Sequence, residues 1–281
     1  MENNILEINY LTFLDNQLGD LGFRIPHNHP YPYASYDIIY WKDNKFLIPL
    51  YQNNLIILLD KNNNKISLLP IKVNCCHSLS IDKDILTLSF YRNNYIKVFG
   101  LNKMNLIYSF KFENEFPISS LIFKNNLIYI DYINSKFVTF SLQSPSKKKD
   151  ISYLIEFQKN PHSLKLNNKL ICVALRNPSQ IYVLESLNLI HKKKFLDDFD
   201  IMSAYPLNRR YLILVFLNKG LYLYDTKDES MNLITNKIIR PTACAPLEKD
   251  LFVSSENGSS IFKVSSWENL LNKYQINSGI F

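Results

Sequence analysis

The sequence predicts an all-β chain folded as one six-bladed β-propeller of four-stranded antiparallel blades. Three observations predict it. Apolar runs last four to seven residues and are cut by polar turns, which is the signature of strands. No long stretch carries the i, i+3, i+4, i+7 spacing of an amphipathic helix. A unit also recurs about every 40 residues, with starts near 37, 77, 119, 162, 203 and 242, and that is the period of propeller blades with four strands each.

The unit is clearest where it repeats almost by eye. Pro161-His162-Ser163-Leu164-Lys165-Leu166 is followed by the turn Asn167-Asn168-Lys169 and by Leu170-Ile171-Cys172-Val173-Ala174-Leu175. Cys76-His77-Ser78-Leu79-Ser80-Ile81 is followed by Asp82-Lys83-Asp84 and by Ile85-Leu86-Thr87-Leu88-Ser89-Phe90. In chain order, the first unit reads as strands at 37–41, 46–50, 55–59 and 65–69, with Pro49 marking a bulge or a break in pairing. The second runs through 77–81, 85–90, 95–99 and 106–112, and the third through 119–123, 127–132, 137–142 and 151–157. The fourth has 162–166, 170–175, 180–184 and 189–195, and the fifth 202–207, 211–216, 220–225 and 231–234. The sixth has 242–247, 251–255, 260–264 and a fourth strand at 271–276, although 267–273 also reads as a short helix capped by Ser265 or Ser266.

A sheet of four strands cannot bury both faces alone, whereas a ring of sheets hides each face against a neighbour. The ring must close. Ile5-Leu6-Glu7-Ile8-Asn9-Tyr10-Leu11 precedes the first unit and is expected to form the outermost strand of the last blade. Residues 1–281 therefore read as a single domain. Within it, 1–36 supply a closing strand and a segment covering the channel, and 37–281 supply the repeats. Pro26-His27-Asn28-His29-Pro30-Tyr31-Pro32-Tyr33 excludes a regular helix or a central strand there.

Composition agrees. The chain has 18 Tyr and 18 Phe, which suit a pleated, half-buried surface, and 6 Gly. Asparagine stands in for glycine at the turns, because its side chain tolerates positive φ. The net charge is +7, but Lys147-Lys148-Lys149 and Lys192-Lys193-Lys194 read as solvated faces or as edge strands guarded by lysine. Nucleic acid is therefore not expected as a partner. No signal peptide and no apolar run of membrane-spanning length is visible, and four cysteines at irregular spacing do not suggest a disulfide framework, so a reduced, cytoplasmic setting is expected without membrane attachment.

Pro161-His162-Ser163-Leu164 and Gln180-Ile181-Tyr182-Val183-Leu184, with His77-Ser78-Leu79 and Tyr95-Ile96-Lys97-Val98-Phe99 beside them, resemble the blades of six-bladed NHL-like propellers. The resemblance covers the repeat and is one of fold. Within that group, the peptidyl-hydroxyglycine lyase-type propellers hold a catalytic zinc on histidines of alternate blades. The resemblance carries that role to His77 and His162 alone, since the sixth unit has Thr242 or Ala243 at the aligned position.

His77 and His162 are the leading site candidates. Innermost strands line a propeller's channel, and imidazole nitrogen suits zinc and its neighbours. The expected third metal ligand is Cys244, with His27 and His29 as ligand-binding residues if the N-terminal segment folds over the channel mouth. The bland alternative is that both histidines only hold neighbouring backbone. Cys75, Cys76 and Cys172 lack an orienting base and read as unreactive. Two functional readings stand. In one, the channel binds a divalent transition metal such as zinc, or a small-molecule or peptide ligand, as a metal-dependent lyase or hydrolase. In the other, the ring is a non-catalytic scaffold for a protein partner on its loop face.

Overall fold

The computed structural model describes residues 5–9, 35–50, 55–62, 65–69, 71, 75–155, 160–256, 260–265 and 267–276. It forms six four-stranded antiparallel sheets. The first blade holds β2 (Ile39–Tyr40), β3 (Lys45–Leu50), β4 (Leu55–Asp60) and β5 (Lys65–Leu68). The second holds β6 (Cys76–Asp82), β7 (Ile85–Phe90), β8 (Tyr95–Gly100) and β9 (Asn105–Lys111). The third holds β10 (Pro117–Phe123), β11 (Asn126–Asp131), β12 (Lys136–Ser141) and β13 (Lys149–Asp150). The fourth holds β14 (Pro161–Asn167), β15 (Leu170–Leu175), β16 (Gln180–Glu185) and β17 (Asn188–Lys194). The fifth holds β18 (Ile201–Pro206), β19 (Tyr211–Phe216), β20 (Gly220–Asp225) and β21 (Met231–Thr235). The sixth holds β22 (Pro241–Leu247), β23 (Asp250–Ser255) and β24 (Ser260–Ser265), and its fourth place is taken by β1 (Ile5–Asn9).

The chain's two ends therefore close the ring, as the sequence predicts. β1 pairs β24 from Ile5↔Val264 to Asn9↔Ser260. The innermost strands β2, β6, β10, β14, β18 and β22 neighbour one another in order around the axis. Between each adjacent pair of blades lies one apolar cluster. Phe46 of the first blade meets Phe252 of the sixth with ring centroids 4.2 Å apart, both fully buried. Each such side chain contributes roughly 1.5–3 kcal/mol of transfer free energy, so the core of this molecule is its six seams rather than a single centre.

The turns use asparagine as expected. Asn44, Asn94, Asn125 and Asn168 have φ of 59°, 55°, 63° and 55°, the left-handed conformation that closes tight connections. The lysine run 192–194 lies on the outermost strand β17, and of the run 147–149 only Lys149 belongs to a strand, β13. No helix among the described residues is long and apolar enough to cross a membrane.

Three expectations need correction. Residues 271–276 do not form a strand. Glu268–Lys273 is a short helix, α1, that begins after Trp267 without a side-chain cap, and Trp267 and Leu271 are buried beneath it. The place on the sheet was already filled by β1. Of the strand expected at 151–157, the described residues 151–155 form none, and 156–157 lie outside the described residues. β13 is two residues long, and a single 3₁₀ turn follows at Ser152–Leu154, because the Ser152 hydroxyl accepts the Phe137 N–H (2.9 Å) in place of a ladder carbonyl. Finally, Pro49 carries no bulge, since it sits opposite Ile56 with no shift of register, and the break in pairing falls only on the β2 side. Its strand pairs β2 only through Phe46 and Leu47, so the missing N–H interrupts no ladder on that side.

Candidate functional site

Five innermost strands carry a bulge at the same place. The register shifts between Cys76 and Ser78, Pro117 and Ser119, Pro161 and Ser163, Ile201 and Ser203, and Pro241 and Ala243. The extra residues are His77, Ile118, His162, Met202 and Thr242. Counting back from Ile39↔Leu47 places Tyr36 at this position in the first blade and Asp37 at the next. A bulge leaves one residue out of the ladder, which frees its carbonyl for another donor.

The preceding blade supplies that donor. His77 Nδ1 lies 3.1 Å from the Ile118 carbonyl, and His162 Nδ1 lies 2.8 Å from the Met202 carbonyl. A carbonyl only accepts, so Nδ1 carries the proton in both rings and Nε2 carries the lone pair. The two imidazoles meet edge to face, with centroids 5.4 Å apart, and Tyr36 stacks on His77 at 4.9 Å. Both histidines are buried. Burial lowers the His77 pKa to about 4, against the pull of Asp37 and with the further push of Lys165 and Arg176. Burial, then His77 and Arg176, holds His162 well below its ordinary value. At neutral pH both rings are uncharged.

One step further along the axis, a polar ring follows. Asp37 accepts the Ile38 N–H (2.8 Å), the Leu79 N–H (2.9 Å) and the Ser78 hydroxyl (3.1 Å), and it pairs with the Lys165 ammonium. Ser78 Oγ meets Ser119 Oγ at 2.8 Å, and Ser119 Oγ accepts the Leu164 N–H at 3.1 Å. Lys165 belongs to the fourth blade and Asp37 to the first, which stand opposite each other in a ring of six, so the ion pair crosses the channel. The same level in the fourth and fifth blades holds Ser163 and Ser203. Their hydroxyl oxygens are buried, and among the described residues neither has a hydrogen-bond partner. Beyond the ion pair lies a separate cavity of about 130 Å³, walled by Ile39, Leu79, Leu164 and Pro246, with Lys165 and Tyr205 facing it.

The structure thus brings His77 and His162 together. It places Cys244 elsewhere, in the seam between the fifth and sixth blades with Met202, Val253 and Trp267, and burial pushes its thiol up to about 12. No group of three His, Cys, Asp or Glu side chains able to hold a metal exists among the described residues, so Cys244 does not complete a ligand set with the two histidines. His27 and His29 lie outside the described residues. Cys75 is half-buried at a φ of 51°, Cys76 is buried with its thiol held by the Ser78 carbonyl, and Cys172 is buried in apolar surroundings. Burial raises the pKa of all three, so none is a ready nucleophile.

Sequence reasoning missed Tyr36, Asp37 and Lys165. The first unit has no His-Ser-Leu to align, and only counting back from its second strand sets Tyr36-Asp37-Ile38 against His77-Ser78-Leu79. Lys165 did carry a signal: it is a lysine between Leu164 and Leu166 where the fifth unit has Tyr205 and the sixth Ala245.

No protein-family model matches the chain, and neither does any curated protein sequence. Solved structures do match. A catalytically inactive variant of virginiamycin B lyase from Staphylococcus aureus, with quinupristin, is 16% identical, at a TM-score of 0.61 over 95% of this chain and 86% of that one. A selenomethionine-substituted structure of the same lyase is 15% identical, at a TM-score of 0.59 over 94% of this chain and 99% of that one. A protein of unknown function from Bacteroides thetaiotaomicron is 13% identical, at a TM-score of 0.65 over 83% of this chain and 69% of that one. At such identities the likeness is one of fold: the chain is a six-bladed β-propeller that shares its architecture with virginiamycin B lyase.

Proposed function

We propose that the channel mouth at His77 and His162 binds a small polar molecule or the end of a peptide. One observation carries this reading. Two uncharged imidazoles, each fixed through Nδ1 to the next blade, lie within ring-contact distance of each other, and Ser163 beside His162 and Ser203 beside Met202 carry buried hydroxyls without a partner among the described residues. A buried hydroxyl without a partner costs about 1–3 kcal/mol, which a ligand's polar group or a water recovers. The ligand best suited to this wall donates hydrogen bonds to His162 Nε2 and exchanges them with the serines.

A divalent metal such as zinc fits less well. The described residues offer two imidazole nitrogens, the nearest carboxylate, Asp37, is held by Lys165, and the cations Lys165 and Arg176 oppose a further positive charge. Lyase or hydrolase chemistry is the second reading, and the fold likeness to virginiamycin B lyase supports it. A neutral His162 is the protonation state a general base requires.

Binding of quinupristin and of capped dipeptide amides, measured by calorimetry on untagged protein, tests the proposal, with elemental analysis of the same sample and a turnover assay on quinupristin. A probe that binds the wild type and weakens at least about tenfold in His162→Ala, at unchanged Tm, supports it. Stoichiometric zinc would shift the reading to a metal site. Failure of every probe, or binding indifferent to His77→Ala and His162→Ala, would overturn it and favour an interaction scaffold for a protein partner.

A further inference from the structure

The second blade carries another cleft, away from the channel. Its floor is the sheet face formed by β7, β8 and β9, and the ladder arranges its side chains in rows. Phe90 pairs with Tyr95, which pairs with Lys111, and in the next row Lys97 pairs with Ser109. Arg92, from the turn between β7 and β8, completes the wall, and the cleft measures about 900 Å³, which is the upper part of the range of small-molecule sites. Among the described residues three cations line it and no carboxylate does. The Lys97 ammonium sits 5.4 Å from the Phe90 ring centroid, and the Lys111 ammonium sits 5.9 Å from that of Tyr95. Among the described residues neither lysine has a carboxylate partner. Some lysines beside aromatic rings elsewhere also meet acids: Lys148 lies over Phe112 and pairs with Glu115 at 2.6 Å.

We propose that this cleft is a binding site for a planar aromatic anion, meaning a ring carrying a phosphate or carboxylate. The ring lies along Tyr95, where flat π-surface is available next to Lys111. The anionic group falls between Lys97, Lys111 and Arg92, where ammonium and guanidinium donors make charge-assisted hydrogen bonds, and Ser109 adds a hydroxyl. Leu106 borders the cleft on the outer strand and gives the ring an apolar side.

The test is calorimetric titration of the full chain with adenosine 5′-monophosphate, 4-nitrophenyl phosphate and inorganic phosphate. The comparison proteins are Lys97→Gln/Lys111→Gln and Tyr95→Ala, with circular dichroism to confirm folding. Both aromatic phosphates are expected to bind the wild type and to weaken at least about tenfold in the lysine variant, since two charge-assisted hydrogen bonds are lost. Their affinity should also fall with added salt, because these lysines are solvent-accessible. Tyr95→Ala should weaken the aromatic phosphates and leave inorganic phosphate unchanged. Inorganic phosphate binding as tightly as the aromatic phosphates would overturn the aromatic half of the proposal. No aromatic phosphate binding tighter than roughly 10 mM, or binding untouched by the lysine variant, would overturn it entirely.

Discussion

Asp37→Ala should be the most damaging single substitution at the channel. The carboxylate serves four donors at once: two backbone N–H groups, the Ser78 hydroxyl and the Lys165 ammonium. Its side chain is 2% exposed and that of Lys165 is 6%. Removing one member of a buried ion pair costs roughly 3–5 kcal/mol, because the other charge is left without compensation. The Leu79 N–H, on a strand 1% exposed at that residue, loses its acceptor as well, at about 1–3 kcal/mol where water does not reach it. The expected loss is about 5 kcal/mol, or a Tm lower by roughly 10–20 °C for a domain of this size. Lys165→Met should cost less, about 3 kcal/mol, since the carboxylate keeps its three other donors. The pair of substitutions together should cost less than their sum. Urea unfolding followed by near-ultraviolet circular dichroism on the four proteins gives the cycle. If Asp37→Ala costs under about 1 kcal/mol, or if the double variant is additive within about 0.5 kcal/mol, the ion pair does not join the first and fourth blades and the reasoning fails.

Acid should weaken the fold through His77. Its pKa falls from 6.5 in the unfolded chain to about 4 in the folded one, so the unfolded state binds more protons between those values; stability is complete above about pH 6.5 and declines by roughly 3 kcal/mol as pH falls to about 4. Urea midpoints measured across that window should slope downward in the wild type and flatten in His77→Gln. Gly220→Ala should cost about 1–3 kcal/mol, since φ there is +95° and a Cβ would stand 2.2 Å from the Thr235 carbonyl oxygen; an unchanged calorimetric Tm would refute the crowding. Deleting residues 1–9 removes the strand that covers β24 and should lower Tm and promote self-association through the bared edge, read by calorimetry and size-exclusion chromatography. A monomeric deletion variant of unchanged Tm would show that closure by β1 contributes nothing.

The architecture was legible because it is written locally and repeatedly. Each blade needs three turns, each turn needs residues that tolerate left-handed backbone, and asparagine pairs mark several of them, as at Asn93-Asn94 and Asn125-Asn126. Closure was legible for the opposite reason: Ile5–Asn9 had no place in the first unit. The histidine pair was visible because two units share a His-Ser-Leu. The Asp37–Lys165 bond was not, since its members are 128 residues apart and come from opposite blades, a relation no period reveals. Cys244 was misjudged because strand position alone does not say which way a residue beside a bulge turns; it faces the seam with Trp267, which lies beyond the last repeat. The strand expected at 271–276 failed because Leu271 and Ile276 are apolar for a different purpose: both are buried in the fifth-to-sixth seam, Leu271 from a short helix and Ile276 from the turn after it.

The Lys165–Asp37 strut bars the axis of the ring, joining two blades that face each other across it. The cavity of about 130 Å³ has Lys165 in its wall, so its size depends on the same bond. A long polymer cannot be threaded through such a molecule; it can only offer a terminus or a side group.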